Sequence, residues 1–156
     1  MKRPAITMFH ANMNGTGTAI RLELRPAVPF ADGSIIATIA KQASTTPDSF
    51  DWDNSIAVRL YLLDLAKVLQ VFRGQSESIS DGKGLIHRTA SGCTIFRLSH
   101  HIEPVCGYVL DVSSRPYNAE TIVSMSFAMT YDEAFAICEA IDHAMLYVAF
   151  GVPVAD

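Results

Sequence analysis

Arg21, Arg25 and Arg59 fall at the polar positions of strongly alternating segments, and Tyr61 follows two residues after Arg59. In Thr18–Arg25, Ile20, Leu22 and Leu24 make one face and Arg21, Glu23 and Arg25 the other; in Ile56–Leu62, Ile56, Val58, Leu60 and Leu62 oppose Arg59 and Tyr61. Lys41, Arg88 and Arg97 lie on further strand-like segments. Cations that track a phosphate backbone, interleaved with aromatic faces that stack exposed bases, are what holds a single-stranded nucleic acid; each stacked base is worth ~1–3 kcal/mol. Strand alternation alone also accounts for such positions, because something polar must face outward and Arg is a common choice. Phe50 and Trp52 sit in a polar loop, where they either stack bases or pack against the helix below. Phe96 and Tyr108 read as core.

Other chemistry finds less support. His100 and His101, with Cys106 and Asp111 nearby, are the one tempting ligand group, but neighbours on a strand point to opposite faces and cannot share a metal without a bulge. They read as a polar strand end, and no metal site is expected. His10, His87 and His143 are isolated and read as structural. There is no GxSxG, no phosphate-binding or dinucleotide-binding glycine pattern and no HExxH. Neither a catalytic residue nor a cofactor is nominated, and the chain reads as a non-enzyme. Two rival readings stay open. One is an enzyme whose site is assembled between subunits, which a pocket lined by His and Asp would favour. The other is a structural or protein-interaction oligomer, favoured if the sheets carry neither a basic track nor exposed aromatics.

Length and composition fit one ordinary domain: 156 residues, 49% apolar and 18% charged, long enough for a real core and too apolar for wholesale disorder. No apolar run reaches the ~18 residues of a membrane span. Met1-Lys-Arg-Pro4 is followed by no apolar stretch of the kind a secretion signal carries, and no transit peptide is evident. Cys93, Cys106 and Cys138 are odd in number and match no ligand spacing, which suits reduced thiols in a cytoplasmic protein. The net charge of −4 conceals an asymmetry: residues 1–100 carry 11 Lys+Arg against 8 Asp+Glu, a balance of +3, and residues 101–156 carry 1 against 8, a balance of −7. Such asymmetry permits a nucleic-acid-facing portion, although acidic loops and helix ends explain it as well.

Two groups of elements would position these residues. Ala5–Ala11, Thr18–Arg25, Ser34–Gln42 and Ile56–Leu62 read as strands, the third apolar on both faces and therefore central; a helix capped by Asp64 then runs to Gly74. Gly84–Ala90, Cys93–His100, Gly107–Ser113 and Thr121–Phe127 read as four more strands, followed by a helix over Thr130–Phe150. The chain is thus an α+β domain, two antiparallel four-stranded sheets each followed by a helix, with halves at about 5–74 and 84–151. The stretch Gly74–Gly84 reads as a flexible lid or a disordered segment.

The last helix is unusual. Thr130-Tyr-Asp-Glu133 is a capping box and Gly151 a stop, with Pro153 beyond. Ala134, Ile137, Cys138, Ile141, Met145 and Val148 form a core stripe, yet Phe135, Leu146, Tyr147 and Phe150 lie off it. A helix apolar nearly all round is buried on more than one side, and a second subunit supplies that side most simply. The chain is therefore expected to be a homo-oligomer held by these four residues.

In order along the chain, several segments resemble the Whirly family of single-stranded-DNA-binding proteins. Thr16-Gly-Thr-Ala-Ile-Arg-Leu22 and the following Pro26 are similar to the family's Lys-Gly-Lys-Ala-Ala-Leu strand and Pro-containing turn. Ser49-Phe-Asp-Trp52 resembles its Gln-Tyr-Asp-Trp segment, Leu85-Ile-His87 its Phe-Phe-His strand, Ile102-Glu-Pro104 with Gly107-Tyr108 its Val-Glu-Pro turn and Gly-Tyr strand. Thr130-Tyr-Asp-Glu-Ala-Phe135 resembles its Thr-Lys-Ala-Glu-Phe helix start. The resemblance implies the same doubled fold, a tetramer with helices at its centre, and binding of single-stranded DNA with little sequence preference; the residues nominated for that binding on their own chemistry are Arg21, Arg25, Lys41, Arg59, Tyr61, Arg88, Arg97 and Trp52. It implies a bacterial or mobile-element relative; the broader fold group includes guide-RNA-binding proteins, so RNA is the alternative ligand. Thr16 and Thr18 replace the lysines of Lys-Gly-Lys, so the resemblance leaves open the higher assembly and cooperativity which that motif supports.

Overall fold

The structure is a computed structural model that describes residues 3–104 and 106–153. Alternation produces eight strands: β1 (Ala5–His10), β2 (Thr18–Arg25), β3 (Ser34–Lys41), β4 (Ile56–Leu60), β5 (Leu85–Arg88), β6 (Gly92–His101), β7 (Gly107–Pro116) and β8 (Val123–Met129). Helix α1 (Leu62–Phe72) follows β4 and helix α2 (Tyr131–Phe150) follows β8. Sheet 1 is the antiparallel meander β1-β2-β3-β4 and sheet 2 the meander β5-β6-β7-β8, so the doubled plan read from the sequence is the fold.

One face of each sheet turns inward. Ile20, Ile39, Val58 and Leu60 of sheet 1, Phe96, Leu98, Val112 and Phe127 of sheet 2, Leu65 and Val71 of α1, and Ile137 and Ile141 of α2 form one continuous core. Burying such a side chain stabilises the fold by ~1.5–3 kcal/mol, which is why alternation predicted the inward face so well. Polar ties fix the halves together: the Thr18 hydroxyl donates to the Ser126 carbonyl at 2.7 Å, and His10, stacked on Phe127 with ring centroids 4.2 Å apart, lies 2.7 Å from the Glu133 carboxylate. The buried Gln42 accepts from the N–H groups of Asn12 and Gly17, both at 3.0 Å, and donates to the Asn12 carbonyl at 3.1 Å, fastening the β1–β2 turn to the end of β3. A Cβ on Gly17 would overlap the His10 carbonyl oxygen, so this turn needs glycine.

The capping box at Thr130 is present: its hydroxyl accepts from the Glu133 N–H at 3.2 Å, and the Glu133 carboxylate accepts from the Thr130 N–H at 3.1 Å. Three local expectations give way to tertiary structure. β4 stops at Leu60, Tyr61 takes the N-cap position of α1, and Asp64 serves as the third helical residue, its carboxylate accepting from the Tyr61 N–H at 3.0 Å. β7 continues past Ser113 to Pro116. The stretch 74–84 is neither lid nor disordered: Ile79 is buried, the Glu77 carbonyl accepts from the His100 N–H at 2.8 Å, and Ser80 and Asp81 adopt left-handed backbone with φ of 50° and 53°. It is a strap laid along β6.

Candidate nucleic-acid interface

The outward face of sheet 1 follows from its register. Phe9, Ala19 and Ala40 stand in one cross-strand row, Thr7, Arg21, Thr38 and Ala57 in the next, and Ala5, Glu23, Ile36 and Arg59 in the third. Ala19 and Ala40 are small enough to leave a depression, and the loop after β3 folds back to fill it: Phe50 packs there, 5.4 Å from Phe9 between ring centroids, with Trp52 against its edge. The loop aromatics therefore pack on the outer face of the sheet and not on a helix. The guanidinium of Arg21 lies 4.1 Å over the Trp52 ring, a contact worth ~0.5–1 kcal/mol at an exposed site. Trp52 stays partly open, held at a fixed orientation on a sheet face.

The cations expected to bind are not equivalent. Arg59 and Lys41 are exposed and make no ion pair among the described residues. Arg25 is half-buried and held 2.6 Å from the Glu23 carboxylate, which Arg3 also approaches at 3.6 Å, so its charge is already compensated. Tyr61, at the head of α1, lines a groove with Asp32, Gly33 and Val148, next to the end of α2 and apart from the Arg21 row. Arg97 is half-buried, its Nε donating to the Gly82 carbonyl of the strap at 3.3 Å.

The outward face of sheet 2 carries a second set of groups. Arg88, Cys93 and Arg115 form one cross-strand row; Ile86, Ile95, Ser113 and Ser124 form the next; Arg97, Asp111 and Ser126 form a third, in which the Ser126 hydroxyl donates to Asp111. With Tyr117 and Ile122, the first row and Ile95 and Ser113 of the second line an open cleft of about 570 Å³. Arg115 and Tyr117 escaped the sequence reading because Pro116 looks like the start of a turn. The signal was the alternation Val109, Asp111, Ser113, Arg115, which runs one step further than the strand assigned to it.

Elsewhere, the histidines behave as structural groups. His100 lies 2.8 Å from the Tyr131 hydroxyl and His101 2.8 Å from the Ser99 hydroxyl, on opposite sides of β6 as alternation requires. A hydrogen bond from the Cys106 thiol, then burial, raises the Tyr131 hydroxyl above the usual tyrosine value. His87 pairs with Asp64 at 3.7 Å, and His143 with the Glu139 carbonyl at 2.8 Å. No group of three or more His, Cys, Asp or Glu side chains among the described residues is arranged to hold a metal ion. No described helix is long and apolar enough to cross a membrane.

On α2, the four off-stripe residues are bare: Phe135 is 69% exposed, Leu146 64%, Phe150 85% and Tyr147 41%. Val28 and Phe30 of the β2–β3 turn are exposed as well, and this turn joins the helix end through the hydrogen bond from the Ala27 N–H to the Tyr147 carbonyl at 3.0 Å. The opposite side of α2 is in the core, through Ala134, Ile137, Cys138, Ile141 and Val148.

No protein-family model matches the chain, and no curated protein matches its sequence. Solved structures do match it. WHY3 from Arabidopsis thaliana superposes with a TM-score of 0.73 at 14% identity, over 92% of this chain and 89% of that one. The plant transcriptional regulator PBF-2 gives a TM-score of 0.74 at 13% identity, over 95% and 91%. A guideRNA-binding protein complex bound to a gRNA gives 0.65 at 15% identity, over 94% and 92%. At these identities the likeness defines a fold. The chain has the Whirly-type architecture that the sequence motifs implied, shared along nearly its whole length.

Proposed function

We propose that this protein binds single-stranded nucleic acid, in the first instance single-stranded DNA, on the outward faces of its sheets, and that it does so as a homotetramer assembled through α2. The reading rests on the Arg21–Trp52 pair with the unpaired Arg59 on the same outward face, which sets an aromatic stacking surface among cations on one rigid face; the exposed Lys41 stands at the end of β3 in the row of His10 and Thr18, off that face. Stacking tolerates any base and phosphate contacts carry no base information, so binding has little sequence preference. The solved structures of the same fold support a nucleic-acid ligand, and the complex bound to a gRNA makes RNA the second reading. The bare apolar side of α2 supports the assembly, since apolar residues on that scale invite burial against another subunit. Binding rather than catalysis is its role, and three free thiols suit a reducing cytoplasm.

Trp52 provides the test. It is the sole tryptophan in the chain, so its fluorescence reports the sheet-1 face. Single-stranded oligonucleotide should quench it saturably, in step with fluorescence anisotropy of a labelled strand. Anisotropy without any change at Trp52 would move the site off this face.

A further inference from the structure

The cleft on sheet 2 has a construction that the sheet-1 face lacks. Arg88 and Arg115 stand two strands apart, about 9.6 Å at the backbone, on either side of the Cys93 thiol. Neither is in an ion pair among the described residues, and no acid shares their row. The nearest carboxylate along the sheet, Asp111, is two rows away and occupied by the Ser126 hydroxyl, and the exposed Glu120 of the β7–β8 connection is in no ion pair with either arginine. The cleft thus holds a pair of guanidiniums without an ion pair, suited to phosphate oxygens. Apolar side chains border that row on both sides: Ile95 one row along the sheet, and Ile122 at 60% exposure and Tyr117 at 62% on the β7–β8 connection. Tyr117 is set in place by its own backbone, whose N–H donates to the Ser91 carbonyl at 3.0 Å. Two cations bordered by apolar and aromatic side chains in an open cleft of about 570 Å³ match a phosphate joined to a base.

We infer that this cleft is a nucleotide pocket, in which Arg88 and Arg115 each hold a backbone phosphate of a single strand and Ile95, Ile122 and Tyr117 receive the base attached between them. The inference rests on the single-strand reading above and adds a second contact area on the other sheet. A strand that engages both faces is read by two independent patches, and one long enough to reach only the first binds more weakly.

Cys93 lies half-buried in this cleft, so its alkylation rate reports occupancy separately from Trp52. Cys138 is buried, and Cys106→Ser removes the exposed competitor thiol. In that protein, a twenty-residue oligothymidine at saturation, as judged by Trp52 quenching, should slow iodoacetamide labelling of Cys93 about tenfold or more. Arg88→Ala with Arg115→Ala should abolish the protection and reduce the salt slope by about 1.4, two phosphates at ~0.7 each, while Trp52 quenching persists. Quenched Trp52 with unchanged Cys93 labelling would overturn the pocket and leave the sheet-1 reading intact. Loss of both signals would overturn both. Thymidine monophosphate provides the remaining arm: protection by the free nucleotide without protection by the strand would also overturn the pocket as part of a strand-binding track. The labelling measurement needs no change in the cleft itself, so it stands even if the double-Arg protein folds poorly.

Discussion

Arg21 and Trp52 restrain each other, and that restraint is what distinguishes them from a charged and an aromatic residue exposed by chance. Trp52→Ala should lower affinity for a single strand about five- to a hundredfold, the range set by one stacked base, with almost no change in salt slope because stacking displaces no counterion. Arg59→Ala should lower both affinity and slope. Arg25→Ala should do much less, because the Glu23 carboxylate already compensates that charge; anisotropy titrations at several salt concentrations separate the three cases. The sequence placed Arg21, Arg25 and Arg59 on one kind of position but could not rank them, since an ion pair along the strand and a loop folded over the face are both invisible to alternation. Glu133 gives a prediction in pH. Burial opposes its ionisation, but the Thr130 N–H, the His10 ring and the Thr130 hydroxyl outweigh that and hold its carboxyl below the usual glutamate range. A depressed folded value means the contribution is present above the unfolded value of about 4.3 and is lost as pH falls through the folded one. Glu133→Gln should therefore flatten the acid limb of thermal stability below about pH 4.5. An unchanged limb would contradict the assignment.

Among the elements, α2 was the most legible, because its signals are local. A Thr three residues before a Glu supplies donors and acceptors that need no tertiary partner, and Gly151 ends the helix within the same few residues. Thr130→Ala should cost about 1 kcal/mol of stability, measurable by urea denaturation with an unchanged m-value. The strands were legible for the same reason, since a period of two reflects one buried face. What could not be read was whatever depends on distant residues. The strap at 74–84 is polar and glycine-rich, yet Ile79 finds the core and Glu77 finds β6. Asp64 looks like an N-cap and turns out to be the residue that reaches back to one. Phe50 needs the depression over Ala19 and Ala40, two residues that nothing in the local sequence singles out. Arg115 and Tyr117 were lost because the strand was expected to stop at Ser113; Pro is admitted at strand ends, and β7 runs on to Pro116.

For the whole molecule, the exposed side of α2 and the two sheet faces make separate demands. The helix side calls for partners, the faces for solvent-accessible cations, and both are met if subunits meet at the helices and turn their sheets outward. Tyr147→Glu together with Phe135→Glu should dissociate the assembly, shown by light scattering as a fall in mass at unchanged β-structure by circular dichroism, because both residues lie off the core stripe. A wild-type protein that is monomeric at micromolar concentration would remove the reason for the helix's composition. The central claim concerns the ligand, and one titration tests it most directly: single-stranded DNA, duplex DNA and RNA of equal length, at several salt concentrations. Single-stranded DNA should bind in preference to the duplex, with a log–log salt slope of only about −2, because Arg59, Arg88 and Arg115 are the few exposed cations on the outward faces without an ion pair among the described residues, each neutralising one phosphate at ~0.7. Preference for the duplex, or failure to bind any of the three, would contradict it.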